Sequence, residues 1–190
     1  MILLSKDNKV SLSKPQGSGL GTISVNLNWN TQGINTQGID LDLGCLVELK
    51  DNRKGAVQAL GSSFGNYDKP PYIMLDGDDR TGASSSGETI RINGNQIKQI
   101  KRLLLYAFIY EGVVNWRDAA ATVTIKYPKA EDIVIKMDEF NTNLGMCGLA
   151  LFQNVRDQTF SIQRIMRFYP SHRDLDKAFG WGIKWKSGRK

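Results

Sequence analysis

Between residues 76 and 88 the chain runs Asp-Gly-Asp-Asp-Arg-Thr-Gly-Ala-Ser-Ser-Ser-Gly-Glu. Asp76, Asp78, Asp79 and Thr81 bring hard oxygen donors, while Gly77 and Gly82 let the backbone turn tightly and present its own carbonyls. That set suits a hard cation, calcium above all, which takes about six to eight oxygens from carboxylates, carbonyls, hydroxyls and water. The spacing is not that of an EF-hand. Counted from Asp76, the fifth and twelfth positions of that motif require an oxygen ligand and a glutamate, and here they hold Arg80 and Gly87. Arg80, in the middle of the run, is a potential internal counter-ion, which would lower the ligand charge that sets affinity. Asp-Gly runs also form ordinary solvated turns, so composition alone does not separate a site from a turn.

A second acidic cluster lies upstream, in Asp40-Leu41-Asp42-Leu43-Gly44-Cys45-Leu46-Val47-Glu48-Leu49. Leu41, Leu43, Cys45, Val47 and Leu49 alternate with the other residues, the period-two pattern of a strand with one buried face. Asp40 and Asp42 then share a face about 7 Å apart, where their repulsion is relieved by a shared cation, an arginine or free solvation. Asp174 and Asp176 repeat the Asp-Leu-Asp spacing in a segment expected to be helical. Two residues apart on a helix they point about 200° from one another and cannot share an ion, so both are expected to be surface charges. No catalytic residues are expected. His172 is the sole histidine and no Gly-x-Ser-x-Gly is present. A helix-start hydrogen-bonding role is expected for His172.

The elements that must position these groups are short and mostly extended. Alternation or continuous apolar character predicts strands over 10–13, 20–29, 40–49, 56–60, 72–75, 88–92, 103–110, 121–127, 133–137, 146–155 and 160–169, with a hairpin turn at 51–55. The shift of apolar positions from Phe160 and Ile162 to Ile165, Met166 and Phe168 predicts a bulge. Residues 96–101 suit a helical turn, and Ser171 suits the cap of a short helix that stops at Gly180. The expected fold is all-β, an antiparallel β-sandwich with one or two short helices, in a single domain over 1–190. If the strands that start at Asp40 and end at Asp76 are antiparallel neighbours, their carboxylates converge on one rim, with Glu111 at the end of the 103–110 strand.

The pairing of a strand Asp-Leu-Asp at 40–42 with a downstream Gly-Asp-Asp-x-Thr-Gly at 77–82 resembles the tellurium-resistance TerD family of calcium-binding stress proteins, its TerA branch in particular. Residues 40–49, 55–63, 75–82, 107–116 and 168–181 fit that branch. The resemblance implies a β-sandwich and a non-catalytic, calcium-binding stress-response module with one or two sites on an acidic rim. It implies oxygen ligands from Asp40, Asp42, Asp78, Asp79 and Thr81 or Gly82, with Glu88 and Glu111 as further candidates and Asp76 and Gly77 flanking them. The sequence departs from the family where a strongly acidic segment normally follows the loop, because 83–87 are Ala-Ser-Ser-Ser-Gly. Two rival readings are a metal-dependent enzyme using the same rim and a cation-independent scaffold.

With 190 residues, 41% hydrophobic and 23% charged, the chain has enough apolar material for a buried core and too much for a disordered segment. Met1-Ile2-Leu3-Leu4 falls short of a signal-peptide core, and a cytoplasmic location is expected. Cys45 and Cys147 sit in apolar stretches and are expected to be buried thiols. The net charge of +6 lies wholly in residues 161–190, the remainder carrying 17 basic and 17 acidic residues. In that segment Trp181, Ile183 and Trp185 alternate with Gly182, Lys184 and Lys186, as in a last strand with its tryptophans inside. Arg173, Lys184, Lys186, Arg189 and Lys190 form a candidate surface for acidic partners, either anionic membrane or nucleic acid. Other stress-response or tellurium-resistance proteins are the remaining expected partners.

Overall fold

The computed structural model describes residues 1–5, 8–13, 19–30, 39–76, 87–112, 114, 116–137 and 142–186. Its strands are β1 (Ile2–Leu3), β2 (Lys9–Ser11), β3 (Thr22–Asn28), β4 (Asp40–Leu49), β5 (Lys54–Val57), β6 (Gly65–Asn66), β7 (Ile73–Leu75), β8 (Glu88–Asn93), β9 (Ile100–Glu111), β10 (Thr122–Lys126), β11 (Ile133–Lys136), β12 (Met146–Val155) and β13 (Thr159–Tyr169). A 3-10 stretch (Gly94–Gln99) and two helices, α1 (Trp116–Ala119) and α2 (His172–Phe179), complete the described elements. One sheet has the order β1-β11-β10-β3-β8-β7-β6 and the other β2-β13-β12-β9-β4-β5. All neighbours are antiparallel except β1 and β11. The fold is an all-β sandwich with few short helices.

Alternation explains most of it. In β3 the side chains of Ile23, Val25 and Leu27 are fully buried while their neighbours stay partly exposed, and they meet Leu41, Leu43, Cys45 and Val47 of β4 in the core between the sheets. The β4–β5 hairpin closes through Asn52 at φ 68°, a left-handed position that asparagine tolerates. The bulge falls where the pattern shifts. Gly148 and Ala150 of β12 face Arg167 and Arg164 of β13, so β13 carries an extra residue, and Met166 takes φ 48°.

The outer face of the six-stranded sheet is also covered. Leu46, Leu104, Tyr106, Phe108 and Met146 form a second apolar cluster there, closed by Leu175 of α2 and by Trp181. This corrects the expectation of one buried face for the 40–49 strand, because all ten residues of β4 are buried. Gly44 lets Tyr106 lie flat across β4, since a Cβ at Gly44 would stand 2.2 Å from the ring. α2 starts on Ser171, whose hydroxyl accepts from the Asp174 N–H, and ends at Gly180 at φ 61°.

Beyond Gly180 the chain returns along the sheet without joining it as a strand, another departure from expectation. Trp181 is buried and Lys184 and Lys186 are exposed, so the inside-outside alternation holds. The amides that a ladder would use are taken by one side chain. Asp176 is 6% exposed, and its carboxylate accepts from Gly182 N–H at 2.7 Å, Ile183 N–H at 2.8 Å and Trp185 Nε1–H at 2.9 Å. Asp176 is therefore not a surface charge, whereas Asp174 is exposed. Upstream of it, Arg102 lies 3.9 Å over the Trp181 ring, donates to the carbonyls of Phe179 and Gly180 and pairs with Glu48. Burial pushes the Glu48 carboxyl up, but hydrogen bonds and charge from Lys101 and Arg102 outweigh it and hold it below its ordinary value.

Candidate metal site

The acidic rim is built where β4 begins. β9 runs antiparallel to β4, so Asp40 faces Glu111 and Asp42 faces Phe108. The strand that ends before Asp76, β7, is not the neighbour of β4 expected from the sequence, because it pairs with β6 and β8 in the other sheet. The chain enters β4 through Ile39, whose carbonyl accepts from Trp29 Nε1 at 3.3 Å, which ties that point to the end of β3 in the other sheet. Asp40 is 7% exposed and Asp42 fully buried. Strand alternation puts both on the outer face with Gly44, Leu46 and Glu48. Burial raises the Tyr106 phenol well above its ordinary value, and nearby Cys45 and Asp42 add to it, which places that hydroxyl within the field of Asp42.

Glu88 approaches from the other sheet. β5 pairs with β4 only over Cys45–Glu48, so the Leu43 N–H meets no strand. The Glu88 carboxylate, 2% exposed, takes that place by accepting the Leu43 N–H through Oε2 at 2.6 Å. Gly87 precedes it at φ 63°, pressed so close to β3 that a Cβ would stand 2.0 Å from the Leu27 carbonyl oxygen. At the other boundary of the acidic run, Asp76 donates its N–H to the Thr89 carbonyl at 2.9 Å, and its Oδ1 accepts from Arg91 Nε at 2.6 Å. Asp76 is thus already matched to a cation of the protein, the role the sequence offered to Arg80.

Of the residues the sequence nominates, Asp40, Asp42, Glu88 and Glu111 stand at one end of the sandwich, the first three buried and Glu111 exposed. Gly77, Asp78, Asp79, Thr81 and Gly82 lie outside the described residues, as do Arg80, Arg189 and Lys190. Among the described residues no group of three or more His, Cys, Asp and Glu side chains is spaced to hold a metal ion. A metal site at this rim would need donors beyond the described carboxylates. The chemistry of the donors fits calcium or magnesium, since every one is an oxygen. It does not fit zinc. Cys45 and Cys147 are free, buried thiols whose pKa burial pushes far up.

His172 does not make the hydrogen bonds expected of it at the helix start, which come from Ser171. Its ring packs against Phe108 at 4.8 Å, Trp185 at 5.1 Å and Tyr106 at 5.5 Å, and burial lowers its pKa to about 4. The imidazole is therefore neutral near pH 7. The sequence reading missed Asp176 although a signal was present, since two carboxylates pointing about 200° apart on a helix that packs on a sheet cannot both face water.

The TerD domain family model matches residues 1–126. The chain belongs to the TerD domain family. It is 37% identical over 199 residues to the tellurium resistance protein TerA of Alcaligenes sp., a match that covers all of this chain and 58% of that protein. The chain thus spans little more than half the length of that relative. Two solved structures share the fold. The unknown function protein SAV2460 gives a TM-score of 0.63 at 12% identity, covering 88% of this chain and 100% of that one. A homologue of telluride resistance protein (TerD), SCO6318 from Streptomyces coelicolor A3(2), gives 0.60 at 18% identity, covering 83% of this chain and 95% of that one. The family match takes in β1 to β10 and hence the whole rim, while β11 to α2 carry the sandwich to completion.

Proposed function

We propose that this TerD family member is a non-catalytic, calcium-binding stress-response module associated with tellurite resistance. Asp40 and Asp42, with oxygens from Asp78, Asp79 and Thr81 or Gly82, would hold the cation. The observation that carries this reading is the burial of both strand aspartates on one face, at the end of the sandwich where β7 gives way to β8. Taking carboxylates out of water is costly unless donors or a cation compensate them, and a cation compensates two at once. Glu88 serves as a brace holding β4 to β8, and Glu111 as an outer carboxylate. A non-catalytic role is supported by the neutral, aromatic-packed His172 and the inert thiols. No helix among the described residues is long and apolar enough to cross a membrane. We place the module in the cytoplasm, among other tellurium-resistance proteins, with exposed Lys184 and Lys186 offered to acidic partners.

Calorimetric titration of the intact chain with calcium and then magnesium tests the reading. Calcium should bind and magnesium bind more weakly, because magnesium insists on compact octahedral geometry and gives up water reluctantly. Calcium at about 100 times its dissociation constant should add about 2.7 kcal/mol to the unfolding free energy. Asp42→Asn should weaken binding while the apo protein stays folded. No calcium heat and no shift of the melting midpoint at millimolar calcium would overturn it.

A further inference from the structure

On the outer face of the six-stranded sheet, apart from the rim, lies a cleft of about 570 Å³. Gln58 and Leu60 form one wall, His172 and Arg173 at the start of α2 another, and Trp185 and Lys186 of the returning segment the third. Its size is that of a site for a small organic molecule.

The walls are fixed before any ligand arrives. Gln58 is 6% exposed, its Oε1 accepting from the Tyr106 hydroxyl at 2.5 Å and its Nε2 donating to the Leu60 carbonyl at 3.2 Å. One N–H and one lone pair of that amide remain for a ligand. The Trp185 ring is held at its nitrogen by Asp176 and lies against His172, whose buried Nε2 has no hydrogen-bond partner. Arg173 and Lys186 are exposed, and neither has an ion-pair partner among the described residues. No described carboxylate lines the cleft. Unmatched cations at the mouth select an anion. The aromatic wall and a volume far beyond that of a lone phosphate call for a planar ring attached to it.

We propose that this cleft binds a nucleoside monophosphate, with its phosphate between Arg173 and Lys186, its base against Trp185 and the Gln58 amide on the base edge. The proposal stands independently of the cation reading. A nucleic-acid strand fits less well, since it needs a groove that tracks several phosphates, and this cleft offers one pair of cations.

The test is titration of the ¹⁵N-labelled chain with adenosine monophosphate, adenosine and inorganic phosphate, each in chelator and again in calcium, following the four tryptophan indole signals. Adenosine monophosphate should shift the signal that Trp185→Phe removes, saturably and in both conditions. Adenosine and phosphate should each bind about tenfold or more weakly. Arg173→Gln combined with Lys186→Gln, both at exposed positions, should weaken the nucleotide by about tenfold or more without moving the melting midpoint. Three results would overturn the proposal: no saturable shift at millimolar nucleotide, phosphate or adenosine binding as tightly as the nucleotide, or an unchanged affinity in the double variant.

Discussion

Asp176→Asn should detach the end of the chain from the sheet. The carboxylate accepts three hydrogen bonds, one through Oδ1 from Gly182 and two through Oδ2 from Ile183 and Trp185. An asparagine keeps only one acceptor oxygen. Placed on the Oδ2 side it preserves two bonds as neutral ones, and its NH2 then confronts the Gly182 N–H, donor against donor. Hydrogen bonds to a charged group contribute about 1.5–3 kcal/mol each and neutral ones roughly half that, so one lost and two weakened amount to about 3–6 kcal/mol locally. The global loss in urea unfolding is capped by the cost of peeling off residues 181–186, because once that is exceeded the segment leaves while the sandwich stays folded. Amide exchange at Gly182 and Ile183 should therefore accelerate by about a hundredfold or more. Asp174→Asn, at an exposed position, should leave those two amides protected. Unchanged exchange in Asp176→Asn, or equal acceleration in both variants, would refute the assignment of Asp176 as the latch.

Gly44→Ala should cost about 1–3 kcal/mol in urea unfolding, because its methyl collides with the Tyr106 ring that lies on β4. Gly55→Ala, with open space around it, supplies the matched control and should change little. The pH dependence of stability should show two windows. His172 has a folded pKa of about 4, below its unfolded value of 6.5, so its contribution is complete above pH 6.5 and is lost as pH falls towards 4. The loss is at most about 3 kcal/mol, and His172→Gln should flatten that window in urea titrations. Glu48 is also depressed, from an ordinary 4.5, so its contribution is present above that value and fades below it. Glu48→Gln should flatten only the lower window.

Period-two alternation located the main strands because it records which face of a strand meets apolar neighbours, and that is decided locally. The Phe160–Phe168 bulge was legible for the same reason, one extra residue displacing the apolar register. Partners were not legible. The parallel pairing of Ile2–Leu3 with Ile133–Val134 depends on contacts across most of the chain, and two residues are too few to show a period. The four residues of α1 are too few to show a helical repeat. At the rim, Asp40 and Asp42 were legible as a pair on one face. The roles of Asp76 and Glu88 were not, since each depends on what lies opposite, Arg91 across the β7–β8 pair and the Leu43 amide in the other sheet.

The Leu43 N–H is an edge amide of one sheet whose acceptor belongs to the other. Ordinary ladder bonds report whether a strand is paired, but this one reports how far apart the two sheets stand at one mouth of the sandwich. Glu88 opens β8 and follows Gly87, which is pressed against β3, so the carboxylate is anchored in one sheet while the amide it accepts from belongs to the other. The exchange rate of one amide then serves as a gauge of the gap. Widening of that gap would free the Leu43 amide and speed its exchange.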